Sequence, residues 1–203
     1  MKRGKLIVIE GGEGCGKTTQ AELLNEYFLE RNLPVYLGRE PGGVAPAEDM
    51  RLILKNKNYE ISPIGELFGF NFARSEFYDK IVIPNLEKGI NTILDRSGWS
   101  TEAYQGYAGG IELETIKKLN EISTRNTKQD LGIIIDIDPE VGLKKEIEKD
   151  RISQKGLEYH KKVREGFLDI CKKNENCFVV DYKEGDIERM QEEIKIYVDP
   201  VIL

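Results

Sequence analysis

The segment Gly11-Gly12-Glu13-Gly14-Cys15-Gly16-Lys17-Thr18-Thr19 fits the pattern G-x-x-x-x-G-K-[ST] and constrains the fold more than any other part of this chain. It follows directly on an apolar run, Leu6–Glu10. It leads directly into a helical pattern, Thr19–Arg31, in which Leu23, Leu24, Tyr27 and Phe28 share one stripe. Glycines let such a loop turn so tightly that successive backbone N–H groups converge on one phosphate, and the helix N-terminus adds the positive end of its dipole. Lys17 is then expected to reach the β- and γ-phosphates of a nucleoside triphosphate. The Thr18 hydroxyl is expected to ligate a hard cation, with Mg²⁺ the natural choice. Cys15 reads as a small residue packed beneath the turn.

Beyond the loop, short β-branched runs alternate with longer helical patterns. The expected strands are Leu6–Glu10, Val35–Leu37, Thr92–Leu94, Ile133–Asp138 and Phe178–Asp181. The first, third and fourth are apolar at successive positions, as in a parallel sheet covered on both faces. The expected helices are Thr19–Arg31, Ala47–Lys55, Ile64–Glu87, Thr101–Ala108, Leu113–Ser123, Glu140–Glu148, Lys155–Lys173 and Ile187–Val198, with Pro84 ending or kinking the third. This alternation predicts an α/β fold, a three-layer sandwich with helices on both faces of the sheet. Asn56–Tyr59 and Thr124–Asp130 read as polar connectors, and there is neither a repeat nor a low-complexity linker. The 203 residues are therefore expected to form one domain.

Charge narrows the partners. With 30 Lys and Arg against 36 Asp and Glu, the formal net charge is −6, which argues against nucleic-acid polymers and anionic membranes. Any bound anion needs a local cluster of cations and N–H groups. The three cysteines (Cys15, Cys171 and Cys177) have no metal-ligand spacing, so neither a disulfide framework nor a zinc site is expected and a reducing compartment fits best. The single histidine, His160, reads as a boundary residue of an amphipathic helix. The apolar run Leu6–Ile9 is too short for a signal peptide or a membrane span, making the cytoplasm the expected location.

Thr92-Ile93-Leu94-Asp95-Arg96 is an apolar strand ending in an acid and a base. A carboxylate at the carboxyl end of a parallel strand faces the same crevice as the phosphate loop. There Asp95 can hold the Mg²⁺ shell or orient an acceptor phosphate, while Arg96 neutralises phosphoryl oxygens. Arg39-Glu40-Pro41-Gly42-Gly43 ends the second strand and puts another guanidinium beside the crevice.

With these pieces in place, the sequence resembles the thymidylate kinase family of P-loop nucleoside monophosphate kinases. The matching stretches are IEGGEGCGKTT (Ile9–Thr19), REPGG (Arg39–Gly43), ELFGFNFAR (Glu66–Arg74), LDRSGWSTEAYQG (Leu94–Gly106), IDIDPEVGLK (Ile135–Lys144) and EYHKKVREGF (Glu158–Phe167), in order over roughly residues 5–182. The resemblance implies a five-stranded parallel sheet with a lid, here around residues 144–156, and transfer of the γ-phosphoryl of ATP to dTMP. It also implies a homodimer. It matches Phe70 to an aromatic stacked on thymine and Arg74, four residues on, to a base-reading arginine. Residues i and i+4 share a helix face about 6 Å apart, so ring and guanidinium can address one base. Glu13 matches an acceptor for the deoxyribose 3′-OH, Thr101 and Gln105 match positions near the base, and Tyr104 matches a tyrosine that crowds the 2′ position. Arg39 and Arg96 match contacts to the acceptor phosphate.

The match departs from the family in three places. Ser97 stands where an aromatic residue or histidine usually follows Asp-Arg. Tyr107-Ala108-Gly109-Gly110 lacks the arginine often found after Tyr-Gln-Gly, and the phosphate loop itself carries no arginine. The catalytic cation is then expected from the lid, where Arg151 aligns with a family Asp-Arg pair and Lys145 and Lys149 are the other candidates. These departures keep two alternatives open: a kinase for another nucleoside monophosphate or deoxynucleoside, and a non-catalytic nucleotide-binding regulator.

Overall fold

The computed structural model describes residues 2–145 and 149–202. Five strands form one all-parallel sheet in the order β2-β3-β1-β4-β5, with β1 Leu6–Gly11, β2 Val35–Arg39, β3 Asn91–Asp95, β4 Leu131–Asp136 and β5 Cys177–Asp181. The central strands are buried on both faces: all six residues of β1, and Leu131 to Ile135 of β4. That is the environment expected of uninterrupted apolar runs.

Alternation along β1 divides the core. Ile7 and Ile9 pack with Ile93, Ile133 and Ile135 under Leu24 and Phe28 of α1 (Lys17–Glu30) and Ile194 and Val198 of α9 (Ile187–Ile202). Leu6 and Val8 point the other way, to Phe77, Val82 and Leu86. Glu10 has the same parity as Leu6 and Val8, so its carboxylate enters the second layer. The sheet order reverses direction at β1, and the carboxyl ends of β1 and β3 open a crevice there.

The remaining helices are α2 (Ala45–Lys55), α3 (Pro63–Phe77), α4 (Ile83–Glu87), α5 (Gly98–Thr101), α6 (Leu113–Ser123), α7 (Pro139–Lys145) and α8 (Leu157–Lys172). Several differ from expectation for local reasons. Helix 64–87 is disturbed not at Pro84 but one turn earlier, where Tyr78–Val82 widens into a π-helical segment between α3 and α4. The proline ring crowds the carbonyl of residue i−4, so the preceding turn relaxes. The helix expected at Thr101 starts three residues sooner, because the Ser97 hydroxyl caps it by accepting from the Trp99 N–H (3.3 Å), and it continues as a π-helical stretch over Glu102–Ala108. The helix expected at Lys155 starts at Leu157. Gly156, at φ 90° and ψ 161°, separates it from a 3₁₀ turn at Ser153–Lys155, in a backbone conformation open only to glycine. Strand β4 runs two residues earlier than expected, and the end of the expected helix Glu140–Glu148 lies outside the described residues.

Two expectations about side chains are corrected. Cys171, in the last turn of α8, and Cys177, opening β5, form a disulfide, with Cα atoms 5.0 Å apart. The tight turn from α8 into β5 brings the two together, a proximity that the count of cysteines does not reveal. His160 is no boundary residue: it is 4 % exposed and packs edge-on against Tyr104 and Tyr159. Burial lowers its pKa, so the imidazole is neutral at pH 7. No helix among the described residues is long and apolar enough to cross a membrane.

Candidate active site

The crevice at the carboxyl ends of β1 and β3 has a volume of about 670 Å³, suited to a nucleotide-sized ligand. Glu13, Gly14, Gly16, Lys17, Thr18 and Thr19 form its floor. The phosphate loop is held from below: the Cys15 side chain is fully buried, and Lys17 Nζ arches back to donate to the Gly12 carbonyl (2.6 Å). Gly11 and Gly12 shape the turn without lining the main crevice. Gly14 sits at φ +67°, and a Cβ there would lie 2.2 Å from the Gly142 carbonyl oxygen; a Cβ on Gly142 would lie 2.1 Å from that of Glu13. Loop and α7 therefore touch backbone to backbone.

The end of β3 supplies the opposite groups. Thr18 Oγ1 donates to Asp95 Oδ2 at 2.6 Å, while Asp95 Oδ1 is buried without a protein partner. Arg96 Nη2 donates to both carboxylate oxygens of Glu13 at 3.1 Å, and the Tyr104 hydroxyl donates to Glu13 Oε1 at 2.7 Å. Burial raises the Glu13 carboxyl, but Arg96 and Lys17 outweigh it and hold the pKa at about 2. Burial pushes the Tyr104 hydroxyl well upward, so it remains a donor at any working pH.

Arg96 is fixed from behind by a group that the sequence did not single out. Glu10 Oε1 accepts from the Ser97 N–H (2.7 Å), the Ser97 hydroxyl (2.9 Å) and the Ser100 N–H (3.0 Å), and Oε2 accepts from the Ser100 hydroxyl (2.6 Å). Ser100 Oγ in turn accepts from Arg96 Nη1 at 3.2 Å. Ser97 thus serves as an anchor of this loop. An acid ending an apolar strand was the available signal for Glu10, and its position in β1 gives it direction.

On the far wall Arg39 pairs with Glu48 at 3.2 Å and is joined by Arg51, another residue that sequence reasoning missed. Arg51 donates to the Pro41 carbonyl at 2.8 Å, and burial together with the neighbouring Arg39 pulls its pKa down. Arg74, expected at the base, does not line the crevice. It is 1 % exposed, bonded to Glu40 (2.7 Å), the Ser97 carbonyl (3.0 Å) and Asn120 (2.9 Å), and it holds the wall together. Burial raises the Glu40 carboxyl against the pull of Arg74. A buried carboxylate must find a cation, and Arg74 on the adjacent helix is the one in reach.

Phe70, Thr101, Tyr104, Gln105 and Ile152 line the remaining end. Arg151, the expected lid cation, is drawn away. It donates to the buried Glu66 carboxylate and, through Nη2, to the Leu54 carbonyl (2.8 Å), so it does not line the crevice either. Lys145 does line it, whereas Lys149 does not.

A thymidylate kinase family model matches residues 9–194. A thymidylate kinase of Thermoanaerobacter sp. (strain X514) is 39 % identical over 199 residues, 97 % of this chain and 95 % of that protein. One of Carboxydothermus hydrogenoformans is 42 % identical over 173 residues, 84 % of this chain and 85 % of that protein. The crystal structure of thymidylate kinase from Ehrlichia chaffeensis superposes with a TM-score of 0.81 at 34 % identity, covering 97 % of this chain and 99 % of the other. Strand order, phosphate loop, Asp-Arg strand end and full-length similarity agree: the chain belongs to the thymidylate kinase family.

Proposed function

We propose that this chain transfers the γ-phosphoryl of ATP to dTMP, giving dTDP, with the crevice residues in the following roles. One observation carries the reading: in a chain of net charge −6, Lys17, Arg39, Arg51 and Arg96 crowd one crevice. Arg96 and Arg39 pair with Glu13 and Glu48 in the ligand-free crevice, and two phosphate groups in apposition can draw on the same cations. Gly14, Gly16 and Lys17 take the ATP phosphates with Thr19 at the helix start, and Arg39 and Arg96 hold the acceptor phosphate. Lys145, at the root of the lid, lines the crevice with its ammonium paired to Glu184 (2.9 Å), and we assign it as the lid-side cation. The residues fit Mg²⁺: Thr18 and Asp95 offer hard oxygen donors, and the unpartnered Asp95 Oδ1 is a ligand in waiting. When bound, the ion neutralises phosphate charge.

Glu13, held ionised by Arg96, accepts from the 3′-hydroxyl of the sugar, and Tyr104 stands where a 2′-hydroxyl would go. Phe70 offers a face to the base, and Thr101 and Gln105 its polar edge. Arg74 contributes from behind the wall. Transfer then depends on alignment and charge neutralisation. Leu52, Phe68 and Phe72 of α2 and α3 are exposed and support a homodimer. The acidic composition supports small nucleotides rather than nucleic-acid polymers as ligands, and we place the enzyme in the cytoplasm, where ATP is supplied. Replacing Arg96→Ala tests the assignment. The expected result is a loss of about a hundredfold or more in kcat with the KM for ATP little changed. Unchanged acceptor-stimulated turnover in Arg96→Ala would overturn the role given to Arg96, and ATP binding without acceptor-stimulated turnover in the unsubstituted chain would favour a regulatory nucleotide binder.

A further inference from the structure

Glu66, on the first turn of α3, is 2 % exposed and belongs to no phosphate or sugar contact assigned above. Its carboxylate gathers three side chains from two separate segments. Oε1 accepts from Arg151 Nη1 and Lys155 Nζ (2.7 Å), and Oε2 accepts from Lys155 Nζ (2.8 Å) and Gln105 Nε2 (3.0 Å). Arg151 and Lys155 lie on the chain returning from the lid; Gln105 lines the crevice beside Phe70 and Thr101. The two cations favour the ionised carboxylate, which then can only accept.

That chemistry fixes a choice which the shape of an amide leaves open. Gln105 can turn either its N–H₂ or its oxygen toward Glu66, and only the N–H₂ can donate to a carboxylate. Its oxygen is therefore the amide atom left for a ligand in the crevice. We propose that Glu66 is a positioning residue for base selection: by holding the Gln105 amide in this orientation, it presents an acceptor to the pairing edge of the base. Thymine and uracil carry a donor N–H at position 3; cytosine carries a lone pair there and meets the Gln105 oxygen with repulsion. The proposal rests on the dTMP kinase reading and deepens it. The same carboxylate ties the returning limb of the lid to the base pocket through Arg151 and Lys155, so the orientation holds while that limb is docked.

The substitution Glu66→Gln tests this with an inverted outcome. Arg151 and Lys155 claim the oxygen of the introduced amide and leave its N–H₂ toward Gln105. Gln105 must then turn its own oxygen to that N–H₂ and point its N–H₂ into the crevice. In acceptor assays with dTMP, dUMP and dCMP, the expected result is a fall of at least about tenfold in the ratio of kcat/KM for dTMP over dCMP. The fall should be carried by the KM for dTMP, with the KM for ATP unchanged. The double substitution Glu66→Gln with Gln105→Glu keeps one carboxylate and one amide in the pair and again offers the base an oxygen. It should restore the preference for dTMP over dCMP, and it carries the test alone if the single variant does not fold. An unchanged ratio in the folded single variant, or a double variant that does not prefer dTMP, overturns the proposal. Failure of the underlying reading looks different: the unsubstituted enzyme itself would then show no preference for dTMP.

Discussion

Arg96 occupies φ +75°, a left-handed backbone conformation that costs a residue with a Cβ about 1–3 kcal/mol. It persists because its surroundings leave it no alternative. Its N–H donates to the Ile9 carbonyl at 3.0 Å, and its side chain is held by Glu13, Ser100 and the Gly11 carbonyl. Ser100 is the lever by which Glu10 reaches Arg96, so Ser100→Ala should lower kcat by up to about tenfold while costing roughly 1 kcal/mol of stability, as checked by steady-state kinetics and urea unfolding. Glu13 gives a pH prediction. Its folded pKa of about 2 lies below the ordinary 4.5, so the stability it contributes is present above pH 4.5 and lost as the pH falls toward 2. Urea midpoints of ligand-free protein should therefore fall less steeply over that window in Glu13→Gln than in the unsubstituted chain. At this scale the sequence speaks clearly where backbone geometry dictates the side chain. Lys17, Thr18, Asp95 and Arg96 stand at fixed offsets from a strand end or a helix start, and all four line the crevice. Arg74 and Arg151 are long, flexible side chains whose direction is set by where a buried carboxylate lies, and Glu40 and Glu66 cannot be located from spacing.

Elements were legible to the extent that local chemistry fixed their ends. The apolar runs of β1, β3 and β4 mark strands covered on both faces, and the pattern of α1 follows from its buried Leu24 and Phe28. The widening at Tyr78–Val82 and the break at Gly156 were not, because each depends on how a neighbouring turn accommodates a proline or a left-handed glycine. The contact of α7 with the phosphate loop is the element-scale feature that matters most for the site. Gly142 permits it, with no space for a Cβ beside the Glu13 carbonyl. Gly142→Ala should force the two apart, lowering stability by about 1–3 kcal/mol and raising the KM for ATP, measured by thermal unfolding and initial-rate kinetics. An unchanged ATP KM would separate α7 from the loop's function.

Across the whole molecule, the net charge of −6 is an average over an acidic exterior and a crevice lined by Lys17, Arg39, Arg51 and Arg96. Small phosphorylated ligands can enter this crevice and meet those cations. The second large-scale feature is the apolar face of α2 and α3, where Leu52 is 71 % and Phe68 57 % exposed. If copies of this chain pair there, light scattering gives twice the chain mass, and Phe68→Asp gives the mass of a single chain. The first feature serves the central claim, that this crevice aligns ATP with dTMP. An ADP-release assay with ATP and Mg²⁺, run across dTMP, dUMP, dCMP, dGMP, AMP and thymidine with the products identified, tests it most directly. The account predicts the highest kcat/KM for dTMP with dTDP as product; a higher value for any other acceptor, or ATP turnover that no acceptor stimulates, would contradict it.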